Sequence, residues 1–255
     1  MLKIDTDKDW EAFGREDPYY AVITDEKYRK GNLTDEHRRA FFESGREYVD
    51  QLMHTLRTQM SPDIKVARAL EFGCGVGRLL IPISRIAQEA TGVDVSDNML
   101  LEAQRNCREF GANNVILAKS DDRLSCLEGR YDLIHSFIVF QHVPVSRGMT
   151  IFDRLLEHLA EDGVAALHFT YGSLHRRGRW KIWIKAHVPL SRHVANLVNG
   201  RPLFTPDMQM NSYDLNQIMQ RLQTAGIQTC YAEFTVHDGV LGVMLYFKNA
   251  ARQPR

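Results

Sequence analysis

The stretch LEFGCGVGRL, residues 70–79, constrains this chain more than any other. The apolar run VARALEF ahead of it suits a strand, and GRLLIPISRIAQEA after it has the apolar spacing of a helix. Between them stand Gly73, Gly75 and Gly77. Glycine tolerates backbone angles and close approaches that other residues do not. A strand that turns into a helix through three glycines therefore brings its backbone against something, unless the turn is purely geometric. A dinucleotide-binding fingerprint, G-x-G-x-x-G, would put its third glycine where Arg78 stands. The spacing here is G-x-G-x-G.

The alternation continues. TGVDV predicts a second strand ending at Asp94. SDNMLLEAQRNCREFG predicts a helix capped by Ser96 and stopped by Gly111. NVILAKSD reads as a third strand, YDLIHSFIVFQHVP as a fourth strand with its exit, SRGMTIFDRLLEHLAEDG as a helix and VAALHFTY as a fifth strand. Repeated strand–helix–strand units predict a parallel sheet covered on both faces, with ligands at the carboxyl ends of its strands. Farther on, SYDLNQIMQRLQTAG predicts a helix. IQTCYAEF and GVLGVMLYFKN, joined by TVHDG, predict an antiparallel hairpin around Asp238-Gly239. Residues 1–65 read as a polar helical cap, with an amphipathic helix starting at Thr34 or Asp35 and interrupted by Gly45. Residues 66–255 form the main domain, including a basic insertion over 172–210.

The chain's 255 residues fit one α/β domain with additions. Its formal net charge of zero gives no global attraction to nucleic acid or membrane. Cys74, Cys107, Cys126 and Cys230 are scattered without CxxC pairing, which argues against a zinc site or disulfide framework and fits a reducing cytoplasm. The polar, acidic start is unlike a signal peptide, and no run of about 18 apolar residues predicts a membrane span.

Asp94 lies about 20 residues beyond the glycines, where a carboxylate can accept both ribose hydroxyls. Asp121 and Asp122 end the third strand, where an adenine edge would be read. Taken together, EFGCGVGR, GVDVSDNML, SD and YDLIHSFIVFQHVP resemble the class I S-adenosylmethionine-dependent methyltransferases over residues 67–171, with the final helix and hairpin in register. The resemblance implies a seven-stranded mixed, Rossmann-like sheet whose last strand is antiparallel, and S-adenosylmethionine as methyl donor. Carried over by position, it implies that Glu71 orders the loop and the donor's amino-acid end. Gly73, Gly75 and Gly77 pass under the donor, with Cys74 a small residue beside them. Asp94 binds the ribose, and Val95 and Met99 pack near the adenosine. Asp121 or Asp122 binds the adenine amine, with Asp121 preferred. Ser136, Phe137 and His142 face the sulfonium and the acceptor.

Methyl transfer is an in-line displacement that rests on alignment and water exclusion. A hydroxyl acceptor also needs a base near neutral pH, and histidine suits that work. His142 is the first choice; His175 and His168 follow, and His135 reads as structural. The strand exit carries no acidic ligand set, so no metal is expected. Between Gly163 and Pro206 there is no acidic residue, while Arg176, Arg177, Arg179, Lys181, Lys185, Arg192 and Arg201 interleave with Trp180 and Trp183. This insertion suits a lid over an anionic small molecule or glycan, a segment resting on an anionic membrane, an RNA-stacking surface or a solvated helix. Tyr19 and Tyr20 either line the acceptor pocket or belong to the core. The leading expectation is methylation of an oxygen on a small molecule or sugar. An RNA or lipid-linked glycan acceptor, a non-catalytic donor-binding scaffold and a nicotinamide dehydrogenase are the alternatives.

Overall fold

The computed structural model describes residues 6–174 and 208–249. His175, Arg176, Arg177 and Arg179, with most of the basic insertion, lie outside the described residues. The cap comprises α1 (Thr6–Glu16), α2 (Pro18–Val22) and α3 (Asp35–Gln59). Thr34 caps α3, its hydroxyl accepting from the His37 amide at 3.2 Å. The main domain then runs β1 (Val66–Phe72), α4 (Leu80–Ser84), β2 (Ala87–Asp94), α5 (Asp97–Glu109), β3 (Val115–Lys119) and β4 (Tyr131–Ser136). It continues through α6 (Val145–His158), β5 (Leu159–Ser173), α7 (Leu215–Thr224), β6 (Cys230–His237) and β7 (Val240–Lys248).

The seven strands form one sheet in the order β3-β2-β1-β4-β5-β7-β6. The first five are parallel; β7 inserts antiparallel between β5 and β6. The predicted hairpin turn sits at Asp238 and Gly239, whose φ angles of 47° and 73° suit a tight turn matched to strand twist. Ser96 caps α5 as expected, accepting from the Met99 amide at 3.2 Å.

Two expectations are corrected. The helix expected over SRGMTIFDRLLEHLAEDG ends at His158, with residues 159–163 already in β5. The run GRLLIPISRIAQEA is not a single helix: α4 is five residues long, and Ala87–Ala90 already belong to β2. Tertiary pairing overrides local helix propensity there, because Ala87, Glu89 and Ala90 find partners in Val66, Arg68 and Ala69 of β1.

Alternation along the strands divides the core. Leu70, Phe72, Ile134, Leu167, Phe169 and Phe247 point to one face, where α6 and α7 bring Phe152, Leu155, Ile218 and Leu222. Ala69, Leu133, Val164, Ala166 and Met244 point to the other, covered by Leu52 and Leu56 of α3 and by Leu80 and Ile83. Truncating any of the large buried side chains to alanine costs about 2–5 kcal/mol. α3 approaches the glycine turn closely: a Cβ at Gly45 would overlap the Arg78 carbonyl oxygen. Gly45, expected only to weaken this helix, is what lets it lie against the loop.

Candidate active site

The exits of β1 to β4 converge at one end of the sheet. After Phe72 the chain folds back over the end of β2, with the amides of Gly73 and Cys74 both donating to the Val93 carbonyl at 2.8 and 3.0 Å. Gly73, Gly75 and Gly77 have φ of 75°, 51° and 86°, angles that cost other residues roughly 1–2 kcal/mol each. A Cβ at Gly73 would overlap the Val139 side chain. Cys74 is buried and desolvation raises its thiol well above the usual range, so it is a small uncharged group.

Asp94 ties the loop to the next turn. Its Oδ2 accepts from the Gly75 amide at 2.9 Å and its Oδ1 from the Ser96 amide at 3.0 Å. Burial raises its carboxyl above the usual range, while the Ser96, Gly75 and Val95 amides pull the other way. Each oxygen keeps lone-pair capacity for another donor. Val95 is half-buried beside it. Met99 is fully buried in the cluster of Tyr19, Phe41 and Val76.

At the β3 exit, Asp121 spends one carboxylate oxygen on its own turn, accepting from the amides of Arg123 and Ser125 at 2.9 and 3.0 Å; those bonds hold its carboxyl below the usual range. Asp122 faces away from that turn and accepts from Arg147 Nε through both oxygens, each at 2.8 Å. Ser120, not singled out in the sequence, is buried with its hydroxyl unpartnered.

At the β4 exit, Ser136 is buried and donates to the Phe72 carbonyl at 3.0 Å. Phe137 packs between Tyr48, at 4.6 Å between ring centres, and His168, at 5.3 Å. Ile138 has φ 59°, a costly conformation for a β-branched residue. Beyond it Val139 covers Gly73, and a 3₁₀ turn, Phe140–His142, presents His142.

His142 is buried, and both its nitrogens are engaged. Its Nδ1 lies 2.8 Å from the Gln209 carbonyl, which only accepts, so Nδ1 carries the proton. Its Nε2 lies 3.1 Å from the Gln141 amide nitrogen, which only donates, so the remaining lone pair is occupied. Desolvation pushes the imidazole down to about 4, against the opposing effect of the Gln209 carbonyl. His168 is buried on β5 with Nε2 2.8 Å from Thr235 Oγ1, and burial and the nearby His237 push it to about 4.

α1 reaches across these exits, farther than a polar helical cap alone would imply. Glu11 accepts from the Ser96 hydroxyl at 2.7 Å. Arg147 donates to Thr6 at 2.9 Å and to Asp7 at 3.0 and 2.9 Å while it holds Asp122. Trp10 meets the His142 ring edge-on at 5.1 Å. Tyr19 belongs to the core: it is buried, and its hydroxyl sits among Glu102 at 2.8 Å, Asn106 at 3.0 Å and Arg38 at 3.2 Å. Tyr20 is half-buried beneath the Arg29 guanidinium, 3.8 Å from its ring centre. Among the described residues, no three His, Cys, Asp or Glu side chains gather as a metal site, and no helix is long and apolar enough to cross a membrane.

The strand order, with its antiparallel β7 and its glycine turn tied to an aspartate on β2, defines a Rossmann-like methyltransferase architecture. Magnesium protoporphyrin IX methyltransferase from Synechocystis PCC 6803, solved with S-adenosylhomocysteine bound, shares the fold at TM-score 0.63 and 20% identity, over 95% of this chain and 97% of that one. The profile of a family described as a methyltransferase domain matches residues 45–226. The chain belongs to this family, within the class I S-adenosylmethionine-dependent methyltransferases. It is similar to the ubiquinone biosynthesis O-methyltransferase of Methylococcus capsulatus, 30% identical over 78 residues, which are 30% of this chain and 33% of that protein. It is also similar to the magnesium-protoporphyrin O-methyltransferase of Synechocystis, 31% identical over 83 residues, 32% of this chain and 36% of that one. The chain thus spans about a third of the length of these curated relatives.

Proposed function

We propose that the chain methylates an oxygen of a small molecule or sugar, and that this oxygen arrives already ionised, as a carboxylate or an acidic hydroxyl. The observation that carries the reading is His142. A neutral alcohol must lose its proton as it attacks, and the best-placed histidine has no free lone pair. Held at about 4, it is also a weak proton acceptor at neutral pH. An anionic oxygen needs no base, only alignment and a dry site. The names of the two similar O-methyltransferases support transfer to oxygen.

The residues fit the donor. Asp94 has lone pairs free for ribose hydroxyls, the glycine turn leaves its backbone bare, and the buried Ser120 hydroxyl and Glu71 Oε2 have no partner. When bound, S-adenosylmethionine supplies a methyl carbon on a sulfonium and leaves as a neutral thioether. In this reading Asp94 holds the ribose, and Ser120 and Asp122 lie toward the adenine. α1 excludes water, while Gln141 and His142 fix the β4 exit opposite the acceptor. In the transfer the acceptor oxygen forms a bond to the methyl carbon as the carbon–sulfur bond breaks.

The test is methyl transfer from labelled S-adenosylmethionine to matched probes: carboxylic acids and acidic phenols against their amides and simple alcohols, with single-stranded RNA as a further arm. We expect label only on the ionisable oxygens, with His142→Gln keeping at least a tenth of the rate. Transfer confined to alcohols, amines or RNA, or a loss above about a thousandfold in His142→Gln, would overturn the reading. So would donor binding with no turnover on any probe, which would indicate a scaffold.

A further inference from the structure

Around Glu71 lies a buried polar cluster whose other members, Tyr48, Arg78 and His135, have no part in the reading above. Glu71 and His135 are fully buried neighbours on β1 and β4, paired in register. His135 Nδ1 lies 4.0 Å from Glu71 Oε1, too far for a hydrogen bond. On its other side, His135 Nε2 is 3.0 Å from the Tyr48 hydroxyl of α3. Three buried polar atoms here have no partner: Glu71 Oε2, His135 Nδ1 and Arg78 Nε. Arg78 belongs to the turn itself, and its Nη1 donates weakly to Ser44 of α3 at 3.4 Å. Unpaired buried groups each cost about 1–3 kcal/mol, so a cluster of three calls for an explanation.

We propose that Tyr48 and His135 are positioning residues of the methyl-donor site. They hold the Glu71 carboxyl under the glycine turn, where it ionises as the donor's cationic amino group arrives above. The inference rests on the donor assignment made above. With Tyr48 donating to His135 Nε2, the imidazole carries its proton on Nδ1, aimed at Glu71. A movement of about 1 Å closes that gap to hydrogen-bond length. A carboxylate there gains charge-assisted bonds from the His135 N–H and the Arg78 guanidinium; a neutral acid accepts from them more weakly. In the free protein, desolvation and the Asp94 charge keep the Glu71 carboxyl well above the usual range, against the pull of Arg78. The other titratable groups facing it are Cys74 on the turn, Cys107 on α5, His135 and Tyr48. None of them is a counter-cation at neutral pH. Arg78 alone does not offset burial and the Asp94 charge; the arriving amino group adds a second positive charge, and the proton of Glu71 leaves to solvent.

The experiment is calorimetry with S-adenosylhomocysteine, pH 5.5 to 7, in two buffers of different ionisation enthalpy. This range lies below that in which an α-amino group gives up its proton. Wild type should release up to one proton, with affinity rising by up to about tenfold per pH unit. Glu71→Gln should bind without proton release and with a flat pH profile. Tyr48→Phe should keep its thermal midpoint within a few degrees, bind about three- to tenfold more weakly and change the slope of the pH profile. A flat profile without proton release in wild type overturns the proposal. So does a folded Tyr48→Phe with unchanged affinity and profile. If that variant does not fold, wild type against Glu71→Gln still decides. No binding by wild type at any pH would instead sink the donor reading itself.

Discussion

Asp94 joins two turns through one carboxylate, and its remaining lone pairs are what the donor reading needs. Replacing it with asparagine removes a charge and turns one acceptor into a donor facing a backbone N–H. Charge-assisted hydrogen bonds are worth about 1.5–3 kcal/mol, so Asp94→Asn should weaken S-adenosylhomocysteine binding by about 10- to 100-fold in calorimetry. Unchanged affinity would remove Asp94 from the site. This residue and the three glycines were legible because their chemistry is local: a turn, a strand end and a fixed interval between them. Ser120 and Tyr48 were not, because nothing in a serine or a helical tyrosine announces what lies across the fold. Asp121 and Asp122 look alike in the sequence and differ in the fold. Asp121, the first acid past β3, bonds its own turn through one carboxylate oxygen, whereas Asp122 reaches across to Arg147 with both.

Among the elements, α1 has the greatest consequence for the site. Its contacts at Glu11, Asp7 and Trp10 touch the exits of β2, β3 and β4 through Ser96, Arg147 and His142. Arg147 is partly exposed, so its ion pairs are screened and worth little in global stability. Arg147→Ala should lower the thermal midpoint by no more than about 2–4 °C. Hydrogen exchange across residues 6–16 should rise, and S-adenosylhomocysteine should dissociate faster. Unaltered exchange in that segment would show that α1 is held by packing alone. The sequence marked this stretch as part of a polar helical cap, but not which side chains fasten it, since the partners lie 85 to 140 residues away. It also misread the end of α4. The run IAQEA has no apolar pattern strong enough to resist strand pairing, and β1 settles the matter.

Across the whole molecule, buried histidines set the response to acid. His135, His142 and His168 are held at about 3, 4 and 4 by burial, whereas an unfolded histidine takes a proton near 6.5. Their contribution is fully present above that value and is lost as pH falls, by about 2 kcal/mol each at pH 5. Glu71 and Asp94, raised above the usual carboxylate range, act in the opposite sense, but the histidines outnumber them. The urea midpoint should therefore fall between pH 7 and 5, with a shallower slope in His142→Gln; a flat midpoint would contradict the burial of these rings. At this scale the fold was the most legible feature, because strand–helix alternation and the Asp238-Gly239 turn are written in local sequence. The acceptor was not, since no local pattern encodes it.

The most direct test is a structure of the complex with S-adenosylhomocysteine. The account predicts the ribose hydroxyls within hydrogen-bond distance of the Asp94 carboxylate. It also predicts the sulfur facing the β4 exit, with His142 Nε2 still bonded to the Gln141 amide. A ribose held elsewhere, or a His142 ring turned free toward the sulfur, would contradict it.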